Sequence, residues 1–215
     1  MQVEIWSDVV CPWCYLGKRR FERALAAFEH RDQVEVVFRS FELDPGAPRE
    51  PQPKAPLLAA KYGISEAEFA ANEERLTRLA AADGLEYHLD GSLIGNTFDA
   101  HRVLHLARER GLQEAVAERL FRAYFTEQRS VFDPESLAGL AAEAGLDGAE
   151  ARHVLAEGGY ADEVRADIDQ ARALGANGVP FFVFDRRYAV SGAQSTDTFA
   201  AALDTAYQDT RPLPK

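Results

Sequence analysis

The sequence predicts an α/β core interrupted by an all-helical insertion, the core being assembled from a β-α-β segment before the insertion and a β-β-α segment after it. Three observations carry the prediction. A strand-like opening runs into a Cys-x-x-Cys pair and then a helix; five of the ten prolines crowd positions 45 to 56, where the texture changes; and strand texture returns only at Gly178. Neither flank alone offers a sheet large enough to bury its helices, so the two are expected to share one. The core is assigned to residues 1–52 and 176–215, the insertion to residues 53–175.

The elements follow in order. Gln2 to Asp8 alternate polar and apolar types like a strand. Leu16, Phe21, Leu25 and Phe28 then recur at helical spacing. Residues 34–43 are rich in β-branched and aromatic types and read as a second strand. Prolines 45, 48, 51, 53 and 56 argue for an extended surface connection, because proline suits neither a helix interior nor a sheet interior. Beyond it, Ser65 with Glu68 forms a capping box ahead of a helix that Gly84 ends. Helices are expected over 97–110 and 113–127, from Asp133-Pro134 to near Gly145, from Asp147 to Gly158, and around Val164 to Ala171 before Gly175. Val179 to Phe184 and Tyr188 to Val190 read as strands joined by a turn at Asp185-Arg186. A last helix starts near Thr196, with Phe199, Leu203 and Tyr207 on one side.

Composition narrows the function. The chain has 215 residues, 47% hydrophobic and 27% charged, which is the profile of a folded globular protein and not of a disordered or collagen-like one. Its formal net charge of −11 repels polyanions. The one dense basic run, Lys18-Arg19-Arg20, reads as a solvated helix face, so no nucleic-acid partner is expected. No run approaches the ~18 apolar residues of a membrane span, so no membrane partner is expected either. The alternating amino terminus lacks the basic and apolar regions of a signal peptide, and the protein is read as cytoplasmic. The sequence leaves a homodimer open.

The two cysteines, Cys11 and Cys14, are the chemical signal. A disulfide closing so short a loop constrains the unfolded chain little, so the pair reads as reactive more than structural. Where a strand turns into a helix, the first sulfur faces unpaired backbone N–H groups and the positive end of the helix dipole. In such settings a thiol can fall from ~8.5 into the range of roughly 3.5 to 7.5, which makes it a nucleophile at neutral pH. Cys11 is the candidate nucleophile, and Cys14, one turn on, the thiol that attacks the resulting mixed disulfide. Pro12 suits the first helical turn, where the N–H it lacks would have no partner. Trp13 is expected to be exposed beside the sulfurs, whereas Trp6 belongs to the core. Two other readings compete: half of a zinc site and a pair of inert buried thiols. A zinc site needs a second ligand pair ~12 to 20 residues on, where only His30 stands. His101 and His105 form H-x-x-x-H far downstream, a spacing that also arises on any amphipathic helix. No metal or other cofactor is expected.

Val179-Pro180 is the second signal, since a proline at the head of a strand-like run marks a bulge or a cis turn. A cis peptide there would leave the N–H and C=O of Val179 available to an extended polypeptide lying across the reactive sulfur. Asn96, His101 and Arg102 are candidates for a substrate pocket. Their structural alternative is a helix cap at Asn96 or Thr97 and an ion pair at Arg102. Asp8 either influences the thiols as a nearby acid or ends its strand.

The segments Ser7-Asp8-Val9-Val10-Cys11-Pro12-Trp13-Cys14-Tyr15-Leu16-Gly17-Lys18, Asn96 to Arg102, Gly178-Val179-Pro180-Phe181-Phe182 and Val190 to Gln194 together resemble DsbA-like proteins of thioredoxin fold, and among them the FrnE subgroup. The resemblance spans essentially the whole chain. It implies a thiol:disulfide oxidoreductase with Cys11 as nucleophile, Cys14 as resolving thiol, a cis Pro180 facing them, substrate contacts at Pro12, Trp13, Val179 and Pro180, and a helical lid over the sulfurs. Its partners would be protein or small-molecule thiols and disulfides. DsbA carries His where Trp13 stands, so a less oxidising pair is expected, nearer the middle of the span from ~−120 to −270 mV. In a reducing cytosol such a pair favours reduction or isomerisation. The Asn96 to Arg102 stretch is also similar to 2-hydroxychromene-2-carboxylate isomerases and kappa-class glutathione transferases. Those enzymes usually have Ser at the position of Cys11 and activate glutathione with it. A glutathione-dependent isomerase or transferase is therefore the alternative, with glutathione as a co-substrate, and a binding role without turnover is a third reading.

Overall fold

The computed structural model describes residues 1–209; the end of the assigned core, 210–215, lies outside them. The chain divides into two compact units, Met1–Leu43 with Arg165–Lys215, and Asp44–Val164. In the first, β1 (Gln2–Ser7), α1 (Pro12–Ala27) and β2 (Glu35–Ser40) form the β-α-β half. The second comprises β3 (Gln52–Pro53), α2 (Lys54–Tyr62), α3 (Glu66–Ala82), β4 (Leu93–Ile94), α4 (Phe98–Glu109), α5 (Gln113–Phe125), α6 (Pro134–Glu143) and α7 (Gly148–Glu157). Helix α8 (Ala161–Ala173) begins there and ends in the first unit, which β5 (Phe181–Phe184), β6 (Tyr188–Ser191) and α9 (Thr196–Asp209) complete.

The four-stranded sheet has the order β2-β1-β5-β6. β1 pairs in parallel with β2 and antiparallel with β5, with Ile5 opposite Phe182 and Trp6 opposite Phe181. Because successive residues of a strand face opposite ways, these pairs supply two cores. On one face Phe182 and Phe21 lie 5.5 Å apart, and Phe199 of α9 sits 4.5 Å from Phe182. On the other, Trp6 and Phe181 pack with Val183, Ala171 and Ala176.

Glu4 lies on the Trp6 face of β1 and, although charged, is buried. Burial is tolerable because the carboxylate is paired: Arg39 donates to Glu4 Oε1 from Nε at 2.9 Å and Nη2 at 2.6 Å, and Arg186 Nε donates to Oε2 at 3.1 Å. Arg39 also reaches Asp167 Oδ1 at 3.2 Å, while Asp167 Oδ2 accepts the Ser40 N–H at 3.0 Å and the Asp167 carbonyl accepts Trp6 Nε1–H at 2.8 Å. The β5–β6 turn places both Asp185 and Arg186 in the left-handed region, at φ 47° and 55°. Neither is glycine, and each side chain is anchored to β1: Asp185 Oδ1 accepts the Gln2 N–H at 2.6 Å, and Arg186 holds Glu4.

These contacts move the expected boundaries. Residues 165–175 belong with the sheet because Asp167 and Ala171 pack there. Residues 44–52 belong with the helices, since the Asn96 N–H donates to the Pro48 carbonyl at 2.9 Å and Gln52 pairs with Ile94. The second unit is thus not purely helical: the β3–β4 pair lies within it. Nor is the proline-rich stretch wholly extended. Pro53 is the N-cap of α2 and Pro56 sits in its first turn, where its missing N–H would have had no intrahelical acceptor. The helix starts at Ser65, Asp133 and Asp147 form as expected, the first as a full capping box.

Asp167→Ala leaves Arg39 and the Ser40 amide short of a buried partner. It should lower the unfolding free energy by about 3 kcal/mol, read from urea denaturation at neutral pH. A loss within the error of the extrapolation would mean that this carboxylate contributes little.

Candidate active site

β1 ends at Ser7, and the chain turns through Asp8, Val9 and Val10 into α1. The Cys11 N–H donates to the Asp8 carbonyl at 3.0 Å, which closes the turn. Cys11 is the N-cap of α1 with extended backbone, φ −85° and ψ 112°, and Pro12 follows within the first turn. Its carbonyl accepts the Cys14 N–H at 3.0 Å, while its side chain makes no cap hydrogen bond. The sulfur therefore stands at the positive end of the helix without being consumed by it. Both thiols are free and buried. Trp13, between them, is 46% exposed, and Trp6 is fully buried, as their positions predict.

Cys11 and Cys14 are equally withdrawn from solvent, and the acidity of Cys14 is displaced. Burial pushes its thiol well above the ordinary thiol range, and its hydrogen bond to the Cys11 sulfur and the charge there push the same way. A hydrogen bond from the Asp8 backbone opposes them, and the Asp8 carboxylate adds a smaller upward push. Asp8 thus fills both roles open to it: its peptide ends the strand, and its buried carboxylate, accepting the Leu43 N–H at 2.8 Å, acts on Cys14.

Opposite the pair, the Val179–Pro180 peptide bond is cis. The Cys11 thiol lies 3.6 Å from the Val179 carbonyl oxygen, to which it donates. Pairing of β5 with β1 begins at Phe181, so the peptide edge of Val179 is not engaged in the sheet. The Gly192 N–H holds the Pro180 carbonyl at 2.8 Å. Cys11, Cys14, Val179 and Pro180 are thereby brought together in one unit, with Pro12 and Trp13 beside them.

Asn96, His101 and Arg102 lie in the other unit, where two of them have structural work. Asn96 Oδ1 accepts the Phe98 N–H at 3.0 Å at the start of α4, while Thr97, the N-cap, makes no side-chain cap. Arg102 donates to Asp99 at 2.7 Å and to the carbonyls of Gly159 at 2.7 Å and Val154 at 2.5 Å. Its guanidinium thus closes the C-terminus of α7, with its donors engaged by the fold. His101 is buried within α4, and the His105 ring stacks on Tyr160. Among the described residues no group of three or more His, Cys, Asp or Glu side chains is arranged to hold a metal ion.

Two further residues belong to the site. Leu43 enters only through its backbone N–H, which no side-chain pattern marks. Gly17 lies in the Ser7–Lys18 segment, and inside a helix it costs about 1 kcal/mol relative to alanine, which is the signal of its own residue type.

The description of the DSBA-like thioredoxin domain family matches residues 2–204. The chain is 56% identical to a probable DsbA oxidoreductase, SCO1869, from Streptomyces coelicolor, with a TM-score of 0.94 over 100% of this chain and 93% of that one. It is 29% identical to the uncharacterized protein YwbO of Bacillus subtilis, over 94% of this chain and 96% of that one. The cytosolic disulfide reductase DsbM of Pseudomonas aeruginosa, solved with GSH, shares the fold at a TM-score of 0.67 and 20% identity, over 97% of this chain and 100% of that one.

The raised Cys14 thiol has a consequence for stability. An unfolded thiol ionises near ~8.5 and the folded one higher, so between those values the native state holds a proton that the unfolded state has lost. The unfolding free energy must then fall as pH rises above about 8.5. Reduced wild type should lose more stability between about pH 8 and 10 than Cys14→Ala does, in urea titrations with reductant present. Parallel curves for the two proteins would contradict the assignment.

Proposed function

The chain belongs to the DSBA-like thioredoxin domain family, and from that premise we propose that it is a thiol:disulfide oxidoreductase working through the Cys11-Pro12-Trp13-Cys14 dithiol. The observation that carries the reading is the Cys11 sulfur at the N-cap of α1, 3.6 Å from a peptide edge that the sheet leaves unused.

The cycle runs as follows. A Cys11 thiolate attacks one sulfur of a substrate disulfide; a Cys11–substrate S–S bond forms, the substrate bond breaks, and the departing sulfur leaves as thiolate and takes up a proton. Cys14 then gives up its proton and attacks the Cys11 sulfur. The Cys11–Cys14 disulfide forms and the second substrate thiol is released, so two electrons have passed from the dithiol to the substrate. Cys14, its thiol raised by burial, holds its proton beside Cys11 until the mixed disulfide has formed. During the first step an extended substrate segment is held along Val179, with side chains against Pro12, Trp13 and Pro180. We further propose that the reaction runs in the cytosol in the reductase or isomerase direction, with glutathione as the thiol that restores the dithiol; the neighbour of the same fold solved with GSH is a cytosolic disulfide reductase. Two glutathione molecules then become one glutathione disulfide.

Cys11→Ser should abolish insulin reduction, whereas Cys14→Ser should accumulate a mixed disulfide at Cys11 that is visible by mass spectrometry. Equal residual activity in the two variants would reverse or remove the assigned roles. Tryptophan emission should change during a redox titration of wild type and not of the Trp13→Phe variant, because Trp13 lies between the sulfurs. A glutathione-dependent isomerase or transferase would instead keep its turnover in Cys14→Ser.

A further inference from the structure

Gly17 sits inside α1, with a backbone that alanine could adopt, so its lack of a side chain answers to something other than backbone geometry. A methyl group there would lie 3.0 Å from Pro180 Cγ and 3.4 Å from both Cα and Cβ of Ala193. The first is tighter than ordinary side-chain contacts, so one side must give by a few tenths of an ångström, and the other two stand at ordinary contact distance. Three elements therefore meet at this point: α1, the Val179–Pro180 peptide and the loop after β6.

Two hydrogen bonds hold the same contact from its other sides. Arg20, one turn further along α1, donates from Nη1 to the Ala193 carbonyl at 2.7 Å, and the Gly192 N–H donates to the Pro180 carbonyl at 2.8 Å. Arg20 thus ties α1 to the loop, and Gly192 ties the loop to the proline. Such a closed triangle resists a small displacement of any one side. Cys11 and Cys14 ride on the same helix, one to two turns before Gly17.

We propose that Gly17 is a positioning residue that sets the gap between the Cys11 sulfur and the Val179 peptide edge, and so determines whether an extended polypeptide disulfide can dock in attacking geometry. This rests on the function proposed above. With alanine at 17, α1 and the Pro180 ring must separate by a few tenths of an ångström, and on this proposal it is α1 that withdraws. The helix carries both thiols and its own amides with it, so the intrinsic reactivity of the dithiol is preserved. What changes is its distance from the edge that presents the substrate. Polypeptide substrates need that edge. A small electrophile that meets Cys11 alone does not.

The test compares wild type, Gly17→Ala and Gly139→Ala. Gly139 also lies inside a helix, α6, but a methyl group there meets nothing within 4 Å, so that variant reports the gain in helix propensity by itself. For Gly17→Ala, kcat/KM for insulin reduction should fall by about tenfold while the rate of Cys11 alkylation by iodoacetamide stays at the wild-type value. Gly139→Ala should match wild type in both. Undiminished insulin reduction by folded Gly17→Ala, or an equal loss in both assays, would overturn the inference. Should Gly17→Ala fail to fold, the same comparison is made on Gly17→Ala with Ala193→Gly, which removes the Ala193 methyl that the new one would touch at 3.4 Å and so lets the loop side give; failure of that protein to fold also overturns the inference, since the contact would then serve packing alone. If wild type itself reduces no insulin, it is the proposed function that fails.

Discussion

The pairing of β1 with β5 is the constraint on which the site depends. β1 is a central strand whose end leads into Cys11, and its partner β5 begins directly after Pro180. Setting Trp6 opposite Phe181 brings positions 11 and 179 to the same end of the sheet, though 168 residues separate them along the chain. A slip of one residue would exchange the two faces of β5, sending Phe181 toward α1 and α9 and Phe182 toward Trp6. The separate aromatic packing on each face, with Phe21 and Phe199 on one and Trp6 on the other, works against that slip. Register, core and active-site distance are therefore one property of the molecule.

The pair at the end of β1 is asymmetric. Cys11 caps the helix and faces the Val179 carbonyl, whereas Cys14 is enclosed, raised by burial and touched by the Asp8 backbone. An exchange cycle needs such a division of labour, because one sulfur must meet outside partners while the other must act only after capture. In the second unit, by contrast, polar groups on α4 serve the fold. Arg102, which in sequence resembles a binding residue, donates to the carbonyls of Val154 and Leu155 in the last turn of α7.

Much of this was legible beforehand, for physical reasons. Cys-Pro-Trp-Cys at the strand-to-helix junction, the proline heading β5 and the capping residues Ser65, Asp133 and Asp147 are all local signals, and local signals survive folding. What stayed hidden is tertiary. Glu4 is a charged residue on a core face, and nothing near it in sequence shows the partners from β2 and the β5–β6 turn that make its burial tolerable. Residues 165–175 read only as helix, and nothing in their own pattern says that Asp167 will bind Trp6 and Ser40. Prolines 53 and 56 suppress the expectation of α2 although both occupy positions at its start that proline tolerates. Gly17 resembles any helix-weakening glycine until Pro180 and Ala193 are seen beside it.

The turn between β5 and β6 ties evolutionary freedom at one edge of the sheet to the redox end. Asp185 and Arg186 both hold a left-handed backbone that Asn-Gly would adopt more comfortably. The more comfortable pair would discard the carboxylate that receives the Gln2 amide and the guanidinium that shields Glu4, both on the strand that leads to Cys11. Drift toward an easier loop is thus opposed from a distance: a change at 186 exposes the charge at 4, and a change at 185 strips the amide of residue 2 of its acceptor whatever side chain stands there.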